Sequence, residues 1–437
     1  MNPLAEELNS ILKPSPVYDM LSEIGQRMFF PRGIISQGAE AKLYGKKANA
    51  TIGVTMNERL PVTLPSVIRQ MPDLTTTESV AYSPTAGNPT LRALWREKII
   101  SKNPSLKGKK FSQPVVVPGL TAGISYLADL FLNPGESLLA CDPSWDNYSL
   151  IVETRRNAKL KQFEMFWGDG FEGGFNTDKL RKAVEQQANE TGMVKLILNF
   201  PQNPSGYSPT VDERKEICQI IEKTAMKGTK VMVWCDDAYF GLDYEANIEK
   251  QSLFAYLADL HENVIVCKID GPTKEDYVWG FRCGFLTFAG KSLTDEMHEA
   301  LIKKLMGAIR SSVSCCATPS QSILLKVFED PLLEEEKEMF KNILKGRYQK
   351  VRSFIETKKD SKVLRPMPFN SGYFMCFTCV GIDAELLRQK LLHENQIGTI
   401  AIDSKHLRIA FSSLDKRDIE SVYAAVYDAA EDMASHA

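Results

Sequence analysis

Between residues 64 and 290, short apolar runs alternate with longer amphipathic stretches. The runs lie near Val115, Leu138, Leu160, Val194, Lys230 and Val264, and helical patterns near Thr121, Asp146, Asp178, Asp212 and Ser252 occupy the intervals. This alternation constrains the chain more than its composition does. Parallel strands cannot be joined by a tight turn, and each needs a crossover long enough to hold a helix. Helices that cross over on both faces bury the sheet between them, which is why such strands read as continuous apolar runs. The pattern predicts an α/β unit around a mainly parallel sheet, with ligands gathered beyond the carboxyl ends of its strands.

A chain of 437 residues is too long for one simple core, and its flanks read differently. Residues 1 to about 50 carry helical patterning, interrupted by a loop around FFPRGIISQG and followed by the apolar run ATIGV. From Lys291 to about 358 the pattern is helical with one break at Asp330 and Pro331. The tail mixes strands in GYFMCF and HLRIAF with helices over 383–394 and 415–432, a smaller α+β domain completed by the N-terminal segment. The expected division is 1–60 as an arm and part of the small domain, 61–315 as the large α/β domain, and 316–437 as a connecting helix and the C-terminal small domain.

Residues that can carry chemistry cluster where strands end. Val264 to Cys267 reads as a buried strand that Gly271 and Pro272 break, leaving Lys274 on the turn, and Arg282 follows eight positions later between Gly280 and Gly284. A lysine on a rigid turn can form an imine with a carbonyl, and an arginine between glycines can grip a phosphate. Those are the two handles of pyridoxal phosphate, two solvated surface charges being the alternative. In VMVWCDDAYFG an apolar run delivers Asp236 to a strand end, with Tyr239 three positions on. A carboxylate there can pair with a cationic ring nitrogen and hold it protonated, the state in which a pyridine ring withdraws electrons from a carbanion. Tyr239 could bond the ring's phenolic oxygen, and an ordinary Asp-Asp turn is the other reading.

Three further exits and the start of one short strand, at Arg408, offer candidates of the same kind. Asn203 in NFPQNPSG can donate to a ligand oxygen or belong to a simple loop exit. Thr121 after Pro118 and Gly119 opens a helix whose free N–H groups suit a phosphate, or is only its cap. Trp145 in DPSWDNY can lie on a flat aromatic ligand or pack in the core. Arg408 in HLRIAFSS can clamp a carboxylate with two parallel hydrogen bonds or form a surface ion pair.

Composition removes other classes. With 53 basic and 55 acidic residues the net charge is −2, which offers nucleic acid no bulk attraction. No apolar run reaches transmembrane length, so no membrane partner is expected. The start MNPLAEELNSILK lacks the basic and apolar regions of a secretory signal, and nine cysteines without framework spacing fit a reducing cytosol. A cytoplasmic protein is expected. Cys376 and Cys379 form a single CxxC and the five histidines show no HExxH, so no metal is expected. GFLTFAGKS holds one residue more between its glycines than a P-loop allows, which discards a nucleotide reading.

In order along the chain, AYSPTAGNPTLR with Tyr82, PGLTAG, PSWDNY, NFPQNPSG, DDAYFG, Lys274 with GFRCG, and LRIAF resemble the class I and II aminotransferases of fold type I. The likeness spans roughly residues 50 to 415, and PSWDNY looks most like the aspartate and aromatic branch. It implies a mainly parallel, seven-stranded type of sheet sandwiched by helices, with pyridoxal phosphate as cofactor. By position it implies that Lys274 binds the cofactor as an imine and shuttles the proton, while Asp236 pairs with the ring nitrogen. Asn203 and Tyr239 would hold the phenolic oxygen, Trp145 would stack on the ring, and Leu120 (through its backbone), Thr121 and Arg282 would bind the phosphate. Arg408 would take the substrate α-carboxylate, with Trp145, Asn203 and Thr55 beside it. A homodimer with shared active sites is implied, Tyr82 reaching in from the partner and Arg310 reading a distal carboxylate.

Some positions depart from the family pattern. Thr55 stands where a glycine is usual, Tyr148 and Leu198 where histidines are, and Gly271 where a serine often helps hold the phosphate. The expected activity is transfer of an amino group from an L-amino acid, aspartate or an aromatic one, to a 2-oxo acid such as 2-oxoglutarate. A β-lyase, a decarboxylase or a cyclopropane-carboxylate synthase uses a similar site, and a cofactor-binding regulator is a further alternative.

Overall fold

The computed structural model describes residues 1–12, 34–51, 53–58, 60–70 and 73–436. Its central sheet has seven strands: β1 (Val115–Val117), β2 (Ser137–Asp142), β3 (Lys159–Glu164), β4 (Met193–Asn199), β5 (Lys230–Asp236), β6 (Val264–Asp270) and β7 (Gly284–Ala289). They lie in the order β1-β7-β6-β5-β4-β2-β3. Neighbours from β6 to β3 are parallel, and β7 runs antiparallel to both β6 and β1. All six expected strands are present. The seventh, β7, is the stretch whose glycine pattern approaches a P-loop. It is buried along its whole length between two neighbours, so its backbone is committed to the ladder.

Local sequence explains the crossovers. The helix Val211–Met226 begins at Thr210, whose hydroxyl accepts from the Glu213 N–H while the Glu213 carboxylate accepts from the Thr210 N–H, a reciprocal cap. Its buried residues Ile217, Ile220, Ile221 and Thr224 form one stripe at helical spacing. The helix Thr177–Thr191 stops at Gly192, which takes a left-handed φ of +68°.

A second sheet holds β8 (Leu364–Pro366), β9 (Met375–Cys379), β10 (Ile400–Ala401) and β11 (His406–Ile409) in the antiparallel order β8-β9-β11-β10. The helix Leu333–Glu356 leads into it, and its buried Arg347 donates to the Ser412 and Met56 carbonyls. The N-terminal segment is joined to the same region. Ala48–Asn49 pairs in parallel with Ile397–Gly398, and the Gln37 amide exchanges two 3.0 Å hydrogen bonds with the Ala401 backbone.

The structure departs from the expected elements in four places. The helical region after Lys291 has a second break at 311–317, between Asp295–Arg310 and Thr318–Phe328, where Ser314 is left-handed (φ +68°) and Pro319 opens the next helix. Within FFPRGIISQG, residues 29–33 lie outside the described residues, and Ile34 already begins the helix Ile34–Tyr44. GYFMCF joins its strand only at Met375, since Gly372 is left-handed at φ +71°. Lys274 sits on a single helical turn, Pro272–Glu275, rather than on an open turn.

Candidate active site

The carboxyl ends of β4, β5 and β6 meet the start of the helix Leu120–Phe131 around a cavity of about 140 Å³. Eight sequence-predicted residues line it: Leu120, Thr121, Trp145, Asn203, Asp236, Tyr239, Lys274 and Arg282. They come from several strand exits and turns, which is how a parallel sheet assembles a site from residues far apart in sequence.

Asp236 is the last residue of β5 and is 3% exposed. Its carboxylate accepts from the Tyr148 hydroxyl at 2.5 Å and from the Ala238 N–H at 3.3 Å. Burial lifts this carboxyl above the ordinary range, while Tyr148 and Lys274 pull it back towards ionisation. Lys274 is half-buried. Its amine is pushed down to about 8 by burial and by the Arg282 charge, with Asp236 acting against both. The ammonium lies 4.7 Å from the centre of the Tyr239 ring, and the Lys274 carbonyl accepts from the Tyr373 hydroxyl at 2.9 Å.

At the other end of the cavity stands an anion cradle. Gly119 takes φ +87° immediately before the helix Leu120–Phe131, and a Cβ there would lie 2.4 Å from Arg282 Nη2. Glycine is required by both the backbone and the space. Leu120 and Thr121 occupy the first turn, where helical N–H groups have no partner within the helix and the dipole favours an anion. Thr121 lies inside that turn rather than at the cap, which is Gly119.

Asn203 and Arg408 connect the cavity to β11. Arg408 is 2% exposed, so the surface ion pair is excluded. Its Nη1 donates to Asn203 Oδ1 at 2.9 Å, its Nη2 to the Thr51 carbonyl at 2.9 Å, and its guanidinium lies 4.3 Å over the Phe374 ring. Both hydrogen bonds go to neutral oxygens. Trp145 is half-buried at the cavity wall and meets Tyr148 edge to face at 5.5 Å.

Three predicted residues are not brought to this cavity within the chain. Tyr82 is 93% exposed, and Arg310 ends the helix Asp295–Arg310 exposed, donating to Ser314 Oγ. Thr55 is fully buried, and Gly53, two residues earlier, stands beside Tyr239. A Cβ on Gly53 would lie 2.9 Å from Phe374 Cζ and 3.6 Å from the Tyr239 hydroxyl. Gly53 thus lies against Phe374 and Tyr239, two residues before Thr55.

Asn199 was missed altogether. It ends β4, accepts from the Asn203 N–H at 2.8 Å and donates to the Asp236 carbonyl at 2.7 Å, tying two strand exits together. Its position as the first residue of NFPQNPSG, directly after an apolar run, was the available signal. Gly271 is also explained, because a Cβ there would come within 3.0 Å of the Cys283 carbonyl and Gly284 Cα. Leu198, one residue before Asn199, is buried in β4 away from the cavity walls.

Comparison with known proteins agrees with this geometry. The family profile described as aminotransferase class I and II matches residues 50–426. An aspartate aminotransferase of Sulfurisphaera tokodaii is 24% identical over 293 residues, 66% of each chain. One from Sulfolobus acidocaldarius is 26% identical over 269 residues, 61% of this chain and 60% of that protein. The matched stretch therefore spans less than two thirds of either relative. The crystal structure of an aminotransferase from Anaerococcus prevotii superposes with a TM-score of 0.81 at 22% identity, covering 92% of this chain and 98% of that one. The Pyrococcus horikoshii kynurenine aminotransferase, solved with PMP, gives 0.77 at 16% identity over 96% of this chain and 99% of that one. The chain belongs to the class I and II aminotransferases, a family that works with pyridoxal phosphate.

Proposed function

We propose that this chain is a pyridoxal-phosphate-dependent aminotransferase that moves an amino group from an L-amino acid, aspartate or an aromatic one, to a 2-oxo acid such as 2-oxoglutarate. The observation that carries the reading is the convergence of Lys274, Asp236 and the Gly119–Arg282 cradle on one cavity. When bound, the cofactor supplies a carbonyl for the amino group and a ring that stabilises negative charge at the substrate α-carbon.

The chain's own residues do the rest. Arg282 and the first turn of the helix Leu120–Phe131 hold the phosphate, Trp145 covers the ring face, and Asn203 and Tyr239 meet the phenolic oxygen. Asp236 keeps a proton on the ring nitrogen, supported by the Tyr148 hydroxyl. Arg408 exchanges its bonds to Asn203 and Thr51 for the substrate α-carboxylate, beside Gly53. Lys274, with its lowered pKa, takes the α-proton as its free amine and returns it to the carbon on the far side of the transferred nitrogen. Tyr82 and Arg310 act from the partner of a cytoplasmic homodimer. The proposed division keeps 61–315 as the cofactor-binding domain and assigns 1–60 and 316–437 to the small domain and its connection.

The test is Lys274→Ala. The native protein mixed with pyridoxal phosphate should show a visible absorption band and convert a panel of amino acids to 2-oxo acids in the presence of 2-oxoglutarate. The variant should lose both. Turnover retained by the variant, or release of ammonia or carbon dioxide without an acceptor, overturns transamination.

A further inference from the structure

The residue after Asp236 opens a second cluster on the other side of the sheet. Asp237, Lys268 and Asp270 are 5%, 1% and 5% exposed. Lys268 Nζ pairs with Asp237 Oδ2 and lies 3.3 Å from Asp270 Oδ2, and its ammonium is 4.5 Å from the centre of the Phe240 ring. Ser252 Oγ donates to Asp237 at 2.6 Å and Trp95 Nε1 donates to Asp270 at 3.1 Å. None of the three charged residues lines the cofactor cavity. They share a separate small cavity with Gly271 and Glu275, which bracket the turn that carries Lys274.

The register explains the placement. In the parallel pair β5 and β6, Cys235 stands beside Lys268 and Asp236 beside Ile269. Asp237 and Asp270 are therefore two carboxylates at adjacent strand ends, one step past Asp236 and four before Lys274. Without an ammonium between them, two buried carboxylates at this range repel, and the site relieves the repulsion by parting the strands or taking up a proton. An apolar trio could fill the same volume without paying for desolvated charge. What the ions add is a directional tie between the two strand ends that deliver the reacting groups.

We propose that Lys268 is a positioning residue for the reaction: by drawing Asp237 and Asp270 onto one ammonium, it fixes the spacing between the ends of β5 and β6 and so the placement of Lys274 against Asp236. The proposal rests on the transamination reading above. It assigns Lys268 no contact with substrate or cofactor.

The test compares the native protein with Lys268→Met and with the charge-free triple variant Asp237→Asn/Lys268→Met/Asp270→Asn. The readouts are crystal structures of the proteins without cofactor, the pH midpoint of the bound cofactor's visible band, and kcat and KM. Lys268→Met should shift the separation of Asp236 and Lys274 by about 0.5 Å or more and move the band's midpoint. It should also lower kcat by about tenfold or more while KM changes less than about twofold. The triple variant should recover most of the midpoint and of kcat. An unchanged midpoint and kcat in Lys268→Met, or a triple variant no better than the single one, overturns the proposal. Should Lys268→Met fail to fold, Asp270→Asn, which keeps the Lys268–Asp237 pair, takes its place: a shifted midpoint supports the proposal and a native one overturns it. A native protein with no visible band removes the transamination reading and this proposal together, whereas a native band with an indifferent Lys268→Met removes this proposal alone.

Discussion

Lys268 and Lys274 stand six positions apart on the same strand and turn, and both have a carboxylate at hand, yet the fold treats them in opposite ways. Burial works against the charge of each. Around Lys268 that effect is outweighed by Asp237 and Asp270, which hold its ammonium above the ordinary lysine range. Around Lys274 burial prevails, Arg282 adds to it, and Asp236 recovers only part, so the amine stands near 8. Lys268 is saturated with partners, while Lys274 faces a cavity. The difference teaches that reactivity here comes from what the fold withholds: a lysine becomes a usable amine where its carboxylate is engaged elsewhere, as Asp236 is with Tyr148.

The largest test of this contrast is stability. Lys268→Met leaves two buried carboxylates uncompensated and should lower the unfolding free energy by about 3–5 kcal/mol in urea titrations. Lys274→Ala should change it by less than about 1 kcal/mol; equal losses from the two variants would erase the distinction. Next in size, Asp236→Asn should lower kcat/KM on the order of 10²–10³-fold with a melting temperature close to native. A large loss of melting temperature would instead make Asp236 a structural partner like Asp237.

Smaller effects sharpen the picture at Arg408, which reaches the cavity through Asn203. Arg408→Lys keeps the charge but loses the planar fork, and should raise KM for the amino acid by about ten- to a hundredfold, with a lesser change in kcat. Smallest is a pH effect. A lysine at about 8 is a neutral amine in about one molecule in ten at pH 7, against roughly one in 2,500 for an unshifted lysine. The sign follows from the lowered value: the rate at which the protein captures added pyridoxal phosphate should rise with pH through about 8 and level off above it. A midpoint near the ordinary lysine value would place Lys274 in the same class as Lys268.

Much of the architecture was legible before any coordinates. Five of the six expected strands read as apolar runs because a strand covered on both faces needs a continuous apolar segment, whereas β3, KLKQFE at the sheet edge, is largely uncovered. Strand exits were legible for the same reason, since a polar residue directly after such a run stands at the rim of the sheet. Asp236 was found in this way, and Asn203 and Lys274 from the proline and glycine turns that follow their runs. The second break before Thr318 was missed although Pro319 follows it; there Ser314 is left-handed and its N–H donates to the Ile309 carbonyl, a local closure of the preceding helix. The place of Gly53 beside Tyr239 was not legible, because it lies on an irregular segment where no periodicity fixes which residue faces inward.

The order of apolar runs and exit residues was enough to specify a mainly parallel sheet and, through its resemblance to a family, to support the proposed reaction class and the choice of Lys274, because these depend on residue type and spacing along the chain. Which carboxylate served which lysine was decided only when β5 and β6 were set side by side. Asp236 and Asp237 are identical in type and adjacent in sequence, and a strand sends neighbouring side chains to opposite faces. One face held a cavity and Tyr148, the other Lys268, Ser252 and Asp270. The roles of two like residues were therefore assigned by what each face happened to contain, a property of three-dimensional packing and of no local stretch of sequence.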